Sequence, residues 1–142
     1  MKYEFASPGW IAFMHGMMVE RLRRLLPEAP DISWSICEVF TNPPKHLSPS
    51  GAPLVWSCVV DRGQLDFGTE ERDDVEFKVV ADYAAIVALG RYDTRGDPVR
   101  MAELASLGGH LKESGQLQVM GDKTGRDARV GDFHDPIARV TA

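Results

Sequence analysis

A short strand predicted late in the chain constrains the fold more than any other feature. In residues 114–122, SGQLQVMGD, the apolar Leu117 and Val119 alternate with Gln and Met between two glycines. Two predicted helices separate this stretch from the other predicted strands. It must therefore return by a long crossover to a sheet that is formed earlier in the chain.

Before those helices, the side-chain pattern predicts one helix and then a block of strands. Ser7 as N-cap and Pro8 at the first helical position begin the helix, and apolar residues recur every three or four positions as far as Leu25. Residues 32–41, ISWSICEVFT, alternate strictly between two faces, as in a strand. Further strands are predicted at 54–60, about 65–67 and 75–81.

Two helices are predicted between the block of strands and the late strand. Asp82 caps a short helix over 83–89, and Asp97 with Pro98 begins a second helix that Gly108–Gly109 is predicted to end. The inner stripe of the second helix is predicted to hold Met101, Leu104 and Leu107, with Ala105. This order indicates an α+β domain, a single layer of mostly antiparallel sheet with helices on one face.

Length, charge and cysteine count narrow the class of protein. A chain of 142 residues is the size of a single domain, and residues 122–142 form a polar tail in which only a last turn or helix at Asp135–Pro136 is predicted. The net charge of −5, with scattered basic residues, argues against nucleic acid as a partner. No apolar run is long enough for a membrane span. Two cysteines, Cys37 and Cys58, predict reduced thiols in a cytoplasmic protein, although their strand positions would allow a cross-strand pair.

The stretch DDVEFKVVADYAAIVALG is followed by a predicted helix and by SGQLQVMGD. In these motifs, and in the order of its elements over residues 7–122, the chain resembles sterol carrier protein-2 (SCP2)-like domains. The resemblance implies a sheet and helices that enclose an apolar cavity. It also implies a hydrophobic ligand, which would be a lipid, sterol, acyl or polycyclic molecule. No cofactor is expected.

Glu38 is the most informative polar residue. It lies on an otherwise apolar strand face beside Ile36 and Phe40. A carboxylate on an inner face must be paired, hydrogen-bonded or protonated, because burying it charged and alone is costly. Such a group suits acid–base chemistry or a grip on a polar part of an apolar ligand. The alternatives are a thinly covered sheet edge, or an ion pair with an arginine.

The remaining candidate residues come from the predicted faces of strands and helices. His110, after the Gly108–Gly109 break at an expected cavity mouth, and His134, beside Asp135, join Glu38 as candidate catalytic groups, although a simple turn would explain His134 and Asp135. No histidine or cysteine spacing is typical of a metal site. The same apolar side chains could fill the core instead of binding a ligand. The predicted ligand-binding residues are Trp34, Ile36, Glu38, Phe40, Trp56, Cys58, Met101, Leu104 and Met120.

These observations support three classes of function. The first is a carrier or binder of a hydrophobic small molecule. The second is a small cofactor-free enzyme that acts on a hydrophobic carbonyl or aromatic substrate by acid–base catalysis. The third is an accessory subunit, identified by a continuous exposed apolar patch and a larger partner enzyme. A homodimer is also compatible with the sequence, and whether the protein is an enzyme stays open.

Overall fold

The computed structural model describes residues 1–122 and 127–142. The helices within these ranges are α1 Pro8–Leu25, α2 Tyr83–Gly90, α3 Pro98–Glu113 and α4 His134–Arg139, with a 3₁₀ turn at Ala128–Val130. The strands are β1 Trp34–Thr41, β2 Leu54–Asp61, β3 Gln64–Gly68, β4 Phe77–Asp82 and β5 Leu117–Gly121. The order of elements predicted from the sequence is confirmed. Ser7 also caps α1 as predicted, since its side chain accepts a hydrogen bond from the Trp10 amide.

The five strands form one mixed sheet in the order β3-β2-β1-β4-β5. The pairs β1–β2, β2–β3 and β4–β5 are antiparallel, and β1–β4 is parallel. The late strand β5 returns after α2 and α3 to the edge of the sheet beside β4. The predicted α+β class with a mostly antiparallel sheet is therefore confirmed.

The alternation in β1 gives the sheet one strongly apolar face. Trp34, Ile36, Glu38 and Phe40 share this inner face, because successive side chains of a strand point to opposite sides. Residues from β2, β4, α1, α2 and the C-terminal segment pack against it in a single buried cluster. The inner face is thus the floor of the hydrophobic core.

The two cysteines lie on opposite faces of the sheet. Cys58 is aligned with Ile36 on the inner face, whereas Cys37 is aligned with Ser57 on the outer face. Both thiols are free and buried. The expectation that they could form a cross-strand pair is wrong, because the register of β1 and β2 separates them by the thickness of the sheet.

An acidic loop between β3 and β4 covers the part of the outer face around Cys37. Lys78 Nζ lies 2.6 Å from Glu71 Oε2 and 2.5 Å from Asp73 Oδ1, and these contacts raise the pKa of Lys78. Burial raises the pKa of Cys37, and a hydrogen bond with the Arg72 backbone opposes this rise. The loop is therefore held against the sheet by its charged side chains.

Helix α3 is longer than predicted. It continues through Gly108–Gly109 to Glu113, and it ends where Gly115 adopts a left-handed φ of 77°. Each glycine in a helix interior costs about 1 kcal/mol relative to alanine, which the burial of Leu111 helps to offset. The prediction that Met101 belongs to the buried stripe of this helix is wrong, because Met101 is 53% exposed.

The C-terminal segment packs into the core, although its composition is polar. Trp10 Nε1 donates to Thr141 Oγ1 at 3.0 Å, and both side chains are buried. Arg21 donates to the Val130 carbonyl at 2.9 Å and lies 4.8 Å from the centre of the Phe133 ring. The described part of the tail is therefore an integral piece of the domain, while residues 123–126 lie outside the described residues. Within the described residues, no helix is long and apolar enough to cross a membrane.

Candidate functional site

A pocket of about 430 Å³ lies between the inner face of the sheet and the surrounding helices. The sheet contributes Ile36, Glu38, Phe40, Trp56, Phe77, Val79, Leu117 and Val119 to its lining. The N-terminal segment and the helices contribute Phe5, Trp10, Met14, Ile86, Leu89, Gly90, Ala105, Gly108, Gly109 and Lys112. The C-terminal segment contributes Asp132, Phe133, His134 and Ile137. Most of this lining is aliphatic or aromatic.

Aromatic rings at one end of the pocket hold one another in place. The Phe5 ring lies 4.9 Å from that of Trp10 and 4.8 Å from that of Phe40, the latter in an edge-on arrangement. Tyr83 fixes this group from the side, because its hydroxyl donates to the Phe5 carbonyl at 2.8 Å. Rings packed edge to face stabilise each other beyond their buried area. This end of the pocket is therefore rigid and apolar.

Helix α3 lines the pocket with three small residues and one lysine. Gly108 and Gly109 follow Ala105 by three and four residues and precede Lys112 by four and three, so all four residues lie on one side of the helix. A Cβ atom at Gly108 would meet Leu89 Cδ1 at an ordinary 3.7 Å, and one at Gly109 would meet no described atom within 4 Å. The pocket is wide here because Gly108 and Gly109 have no side chains to fill it.

Glu38 lies at the centre of the floor of the pocket. It is in the middle of β1, the central strand, and Trp56 and Val79 are its neighbours on β2 and β4. Trp56 Nε1 donates to Glu38 Oε1 at 2.8 Å, which satisfies an indole N–H whose side chain is 1% exposed. The alternative of a thinly covered sheet edge is therefore wrong. Glu38 is half-buried within an apolar surface and is hydrogen-bonded there.

The C-terminal wall of the pocket is held by polar contacts with the loop that follows α2. His134 Nε2 lies 2.7 Å from the Tyr92 carbonyl oxygen, which only accepts, so Nε2 carries a hydrogen. Asp135 accepts from the Thr94 amide at 2.9 Å and from the Thr94 hydroxyl at 2.5 Å. Arg139 is paired with Asp93 at 3.1 Å. These three contacts fix α4 against the rest of the pocket.

We expect the variant Asp135→Asn to be less stable than the wild type at neutral pH. We also expect it to lose less stability than the wild type as the pH falls. Burial raises the pKa of Asp135, but the hydrogen bonds from Thr94 and the electrostatic attraction of His134 and Arg139 together lower it by more, so the pKa in the folded protein is depressed. The contribution of Asp135 is thus present above its unfolded pKa and is lost as pH falls through the folded one. Loss of the charge should cost roughly 1–2 kcal/mol at pH 7.

Urea unfolding between pH 7 and pH 3 measures this effect. The exposed Asp31 serves as the matched control, and Asp31→Asn should follow the wild type at every pH. Equal pH dependence in Asp135→Asn and in the wild type would show that the contact with Thr94 does not hold the wall.

The structure brings five of the predicted residues to the pocket. Ile36, Glu38, Phe40 and Trp56 line its floor, and His134 lies in its C-terminal wall. Whether they contact a ligand stays a prediction.

The other predicted residues lie elsewhere. Trp34 and Cys58 are on the correct face but are buried in the core outside the lining. Burial, with a smaller contribution from Asp66, raises the pKa of Cys58 to about 12, which keeps the thiol protonated at neutral pH. Met101 and His110 are exposed, Leu104 is half-buried, and none of the three lines the pocket. Met120 is aligned with Lys78 on the outer face, because its side chain alternates with those of Leu117 and Val119.

Several lining residues were not predicted. Phe5 precedes the first helix, while Phe133 and Ile137 are in the polar tail, and no local periodicity indicates their burial. The pocket-lining residues of α3 could have been predicted, because their spacing places them on one side of a helix that continues past Gly109.

Comparisons with known proteins reveal similarity only to solved structures. No family model and no curated protein matches the chain. A conserved hypothetical protein of Thermus thermophilus, described as possibly a sterol carrier protein, is 16% identical over 100% of this chain and 94% of its own, with a TM-score of 0.49. The UbiJ-SCP2 ubiquinone synthesis protein is 21% identical over 85% and 84%, with a TM-score of 0.39. The sterol carrier protein domain 2 of Helicoverpa armigera is 13% identical over 87% and 86%, with a TM-score of 0.38.

The chain is thus similar to sterol carrier protein domains, the family that its sequence resembles. Identities are below 25% and TM-scores are below 0.5.

Proposed function

We propose that this protein binds and carries a hydrophobic small molecule in the pocket on the inner face of the sheet. The observation that supports the proposal is the pocket itself, with its volume of about 430 Å³ and its mainly aliphatic and aromatic lining. Small-molecule sites typically have volumes of about 300–1,000 Å³, are mostly apolar and contain a few polar groups. Glu38, Lys112, Asp132 and His134 are the charged or ionisable groups among the described lining residues.

The apolar lining supplies a large part of the binding energy that a carrier needs. Removing about 300 Å² of apolar ligand surface from water, at roughly 25 cal/mol per Å², stabilises the complex by about 7 kcal/mol before the entropy cost of association. A lipid, sterol, acyl or polycyclic molecule offers surface of this kind. Micromolar affinity needs about 8 kcal/mol in total, so a larger buried area or a polar contact must supply the remainder.

Native mass spectrometry of freshly purified protein, followed by thermal shift with a panel of apolar ligands, tests the proposal. We expect an apolar molecule to copurify, or at least one class of the panel to raise the melting temperature in a concentration-dependent way. An apo mass together with no shift across acyl, sterol and polycyclic ligands would overturn the proposal.

A second candidate function is acid–base catalysis on the bound molecule. The observation that favours it is that Glu38 and His134 line the same pocket. Mass spectrometry of apolar carbonyl and aromatic compounds after incubation with the protein tests this candidate. Unchanged compounds, recovered in full, would contradict it.

The cytoplasmic setting and the protein partners also remain predictions. A homodimer or a complex with a larger enzyme would be detected by light scattering of the purified chain, alone and with cell extract.

A carrier must also release its ligand. Transfer of a fluorescent ligand from this protein to vesicles is the assay that measures this release.

A further inference from the structure

Strand β5 forms one edge of the sheet. It pairs with β4 on one side, and within residues 1–122 and 127–142 no strand pairs with its other side. We propose that this free edge pairs with β5 of a second copy of the chain, antiparallel about a two-fold axis, so that two five-stranded sheets become one. The inference does not depend on whether the pocket binds a ligand.

The register between β4 and β5 determines which backbone groups point away from the sheet. The Asp82 amide donates to the Gln116 carbonyl at 2.9 Å, and these residues are opposite each other where the β4–β5 register is extended by one pair. Hydrogen-bonded pairs alternate with non-hydrogen-bonded pairs along antiparallel strands. The N–H and C=O groups of Leu117, Val119 and Gly121 therefore point to the free edge.

A two-fold axis at Val119 gives these outward groups partners. Each Val119 amide then donates to the Val119 carbonyl of the other copy, and Leu117 of one copy is opposite Gly121 of the other. Val119, which is 36% exposed on the inner face, contacts its own counterpart. On the outer face Met120, which is 43% exposed, is opposite Gln118 of the second copy. The pairing thus buries apolar surface that one chain leaves in water.

The sequence of this edge does not oppose such a contact. Residues 114–121, SGQLQVMG, contain no charged side chain and no proline, the residues that commonly protect free edges from pairing. The edge strand β3 differs, because its exposed Asp66 lies 2.9 Å from Arg72. Of the two edges, β5 is the one whose side chains are compatible with a second copy of itself.

The contact would reach the candidate site. Val119 lines the pocket, so Val119 of the second copy would lie beside it on the same inner face. Pairing of one five-residue strand from each copy buries less surface than permanent dimers do. The association should therefore be weak and should depend on protein concentration.

Hydrogen exchange of the wild-type protein, followed by NMR at roughly 50 µM and about 1 mM, tests the proposal. We expect the Leu117 and Val119 amides to exchange about threefold more slowly at the higher concentration, because pairing protects them only in the dimer. The Gln118 amide points to β4 and should be equally protected at both concentrations, so it is the internal control. Sedimentation equilibrium should show a mean mass that rises towards that of two chains.

Charge variants test the register of the pairing. Gln118→Lys/Met120→Lys and Gln118→Glu/Met120→Glu each place like charges opposite each other, since position 118 of one copy is opposite position 120 of the other. Each variant alone should be monomeric at about 1 mM, whereas an equal mixture of the two should form a dimer. Both positions are exposed, and neither lines the pocket.

The matched control for charge is Ala12→Lys/Val19→Lys. It places two lysines at exposed positions of α1, a helix that contacts β3 at the opposite edge of the sheet, and it should associate as the wild type does.

Two wild-type results would contradict the proposal without any variant. A monomer at both concentrations, with unchanged exchange, would refute it and would leave the edge to an extended segment of another protein. A dimer without added protection of Leu117 and Val119 would show that the copies meet through a different surface. Folded lysine variants that still dimerise alone would refute the register in the same way.

Discussion

Replacing Gly109 by tryptophan is expected to abolish ligand binding while the fold is retained. The position lines the pocket, and a Cβ atom there would meet no described atom within 4 Å, so an indole can occupy the space that a ligand needs. Tryptophan also forms helices more readily than glycine, by several tenths of a kcal/mol. We expect at least a hundredfold loss of affinity for any apolar ligand of the wild type, measured by fluorophore displacement.

The control for this substitution lies on the same helix. Ser106 is exposed and does not line the pocket, so Ser106→Trp should bind as the wild type does. Gly109→Ala separates the effect of volume from the effect of helix stability, because a single methyl group should raise stability by about 1 kcal/mol and leave most of the pocket open. Wild-type affinity in a folded Gly109→Trp protein would show that ligands bind elsewhere.

The second large effect is expected from truncating the C-terminal wall. Ile137 is 5% exposed in a segment whose composition is polar, and its side chain lines the pocket. Ile137→Ala should lower the free energy of unfolding by about 2–5 kcal/mol, the range for buried large-to-small changes. In the same variant the affinity for ligand should fall, since one wall of the pocket loses its contact. Urea denaturation and fluorophore displacement measure the two effects.

An exposed apolar residue is the appropriate comparison for Ile137. Val99 is 66% exposed at the start of α3, and Val99→Ala should change stability by no more than about 0.5 kcal/mol. If Ile137→Ala were as stable as Val99→Ala, the packing of the C-terminal segment against the sheet would be refuted.

Local patterns in the sequence determined the elements and one face of the sheet. The two-residue period of residues 32–41 puts Glu38 on the same strand face as Ile36 and Phe40. This follows from the sequence alone, because the side chains of a strand alternate between its two faces whatever its partners are. Ser7 and Pro8 marked the start of α1 for a similarly local reason, since the Ser7 side chain accepts from a backbone N–H of the first turn and proline has no N–H to leave unpaired there.

Long-range packing decided the rest. Gly108–Gly109 signals a helix end in isolation, yet α3 runs through it because Leu111 gains burial further along the helix. Met120 faces away from the pocket because the register between β5 and β4 fixes which face of the sheet each β5 side chain is on. The sequence of β5 alone does not contain this register. Phe133 and Ile137 line the pocket although their own segment reads as polar. Short-range periodicity indicates which side of a strand or helix can be buried. Only the packing of the sheet and the helices decides which residues that side contacts across the pocket.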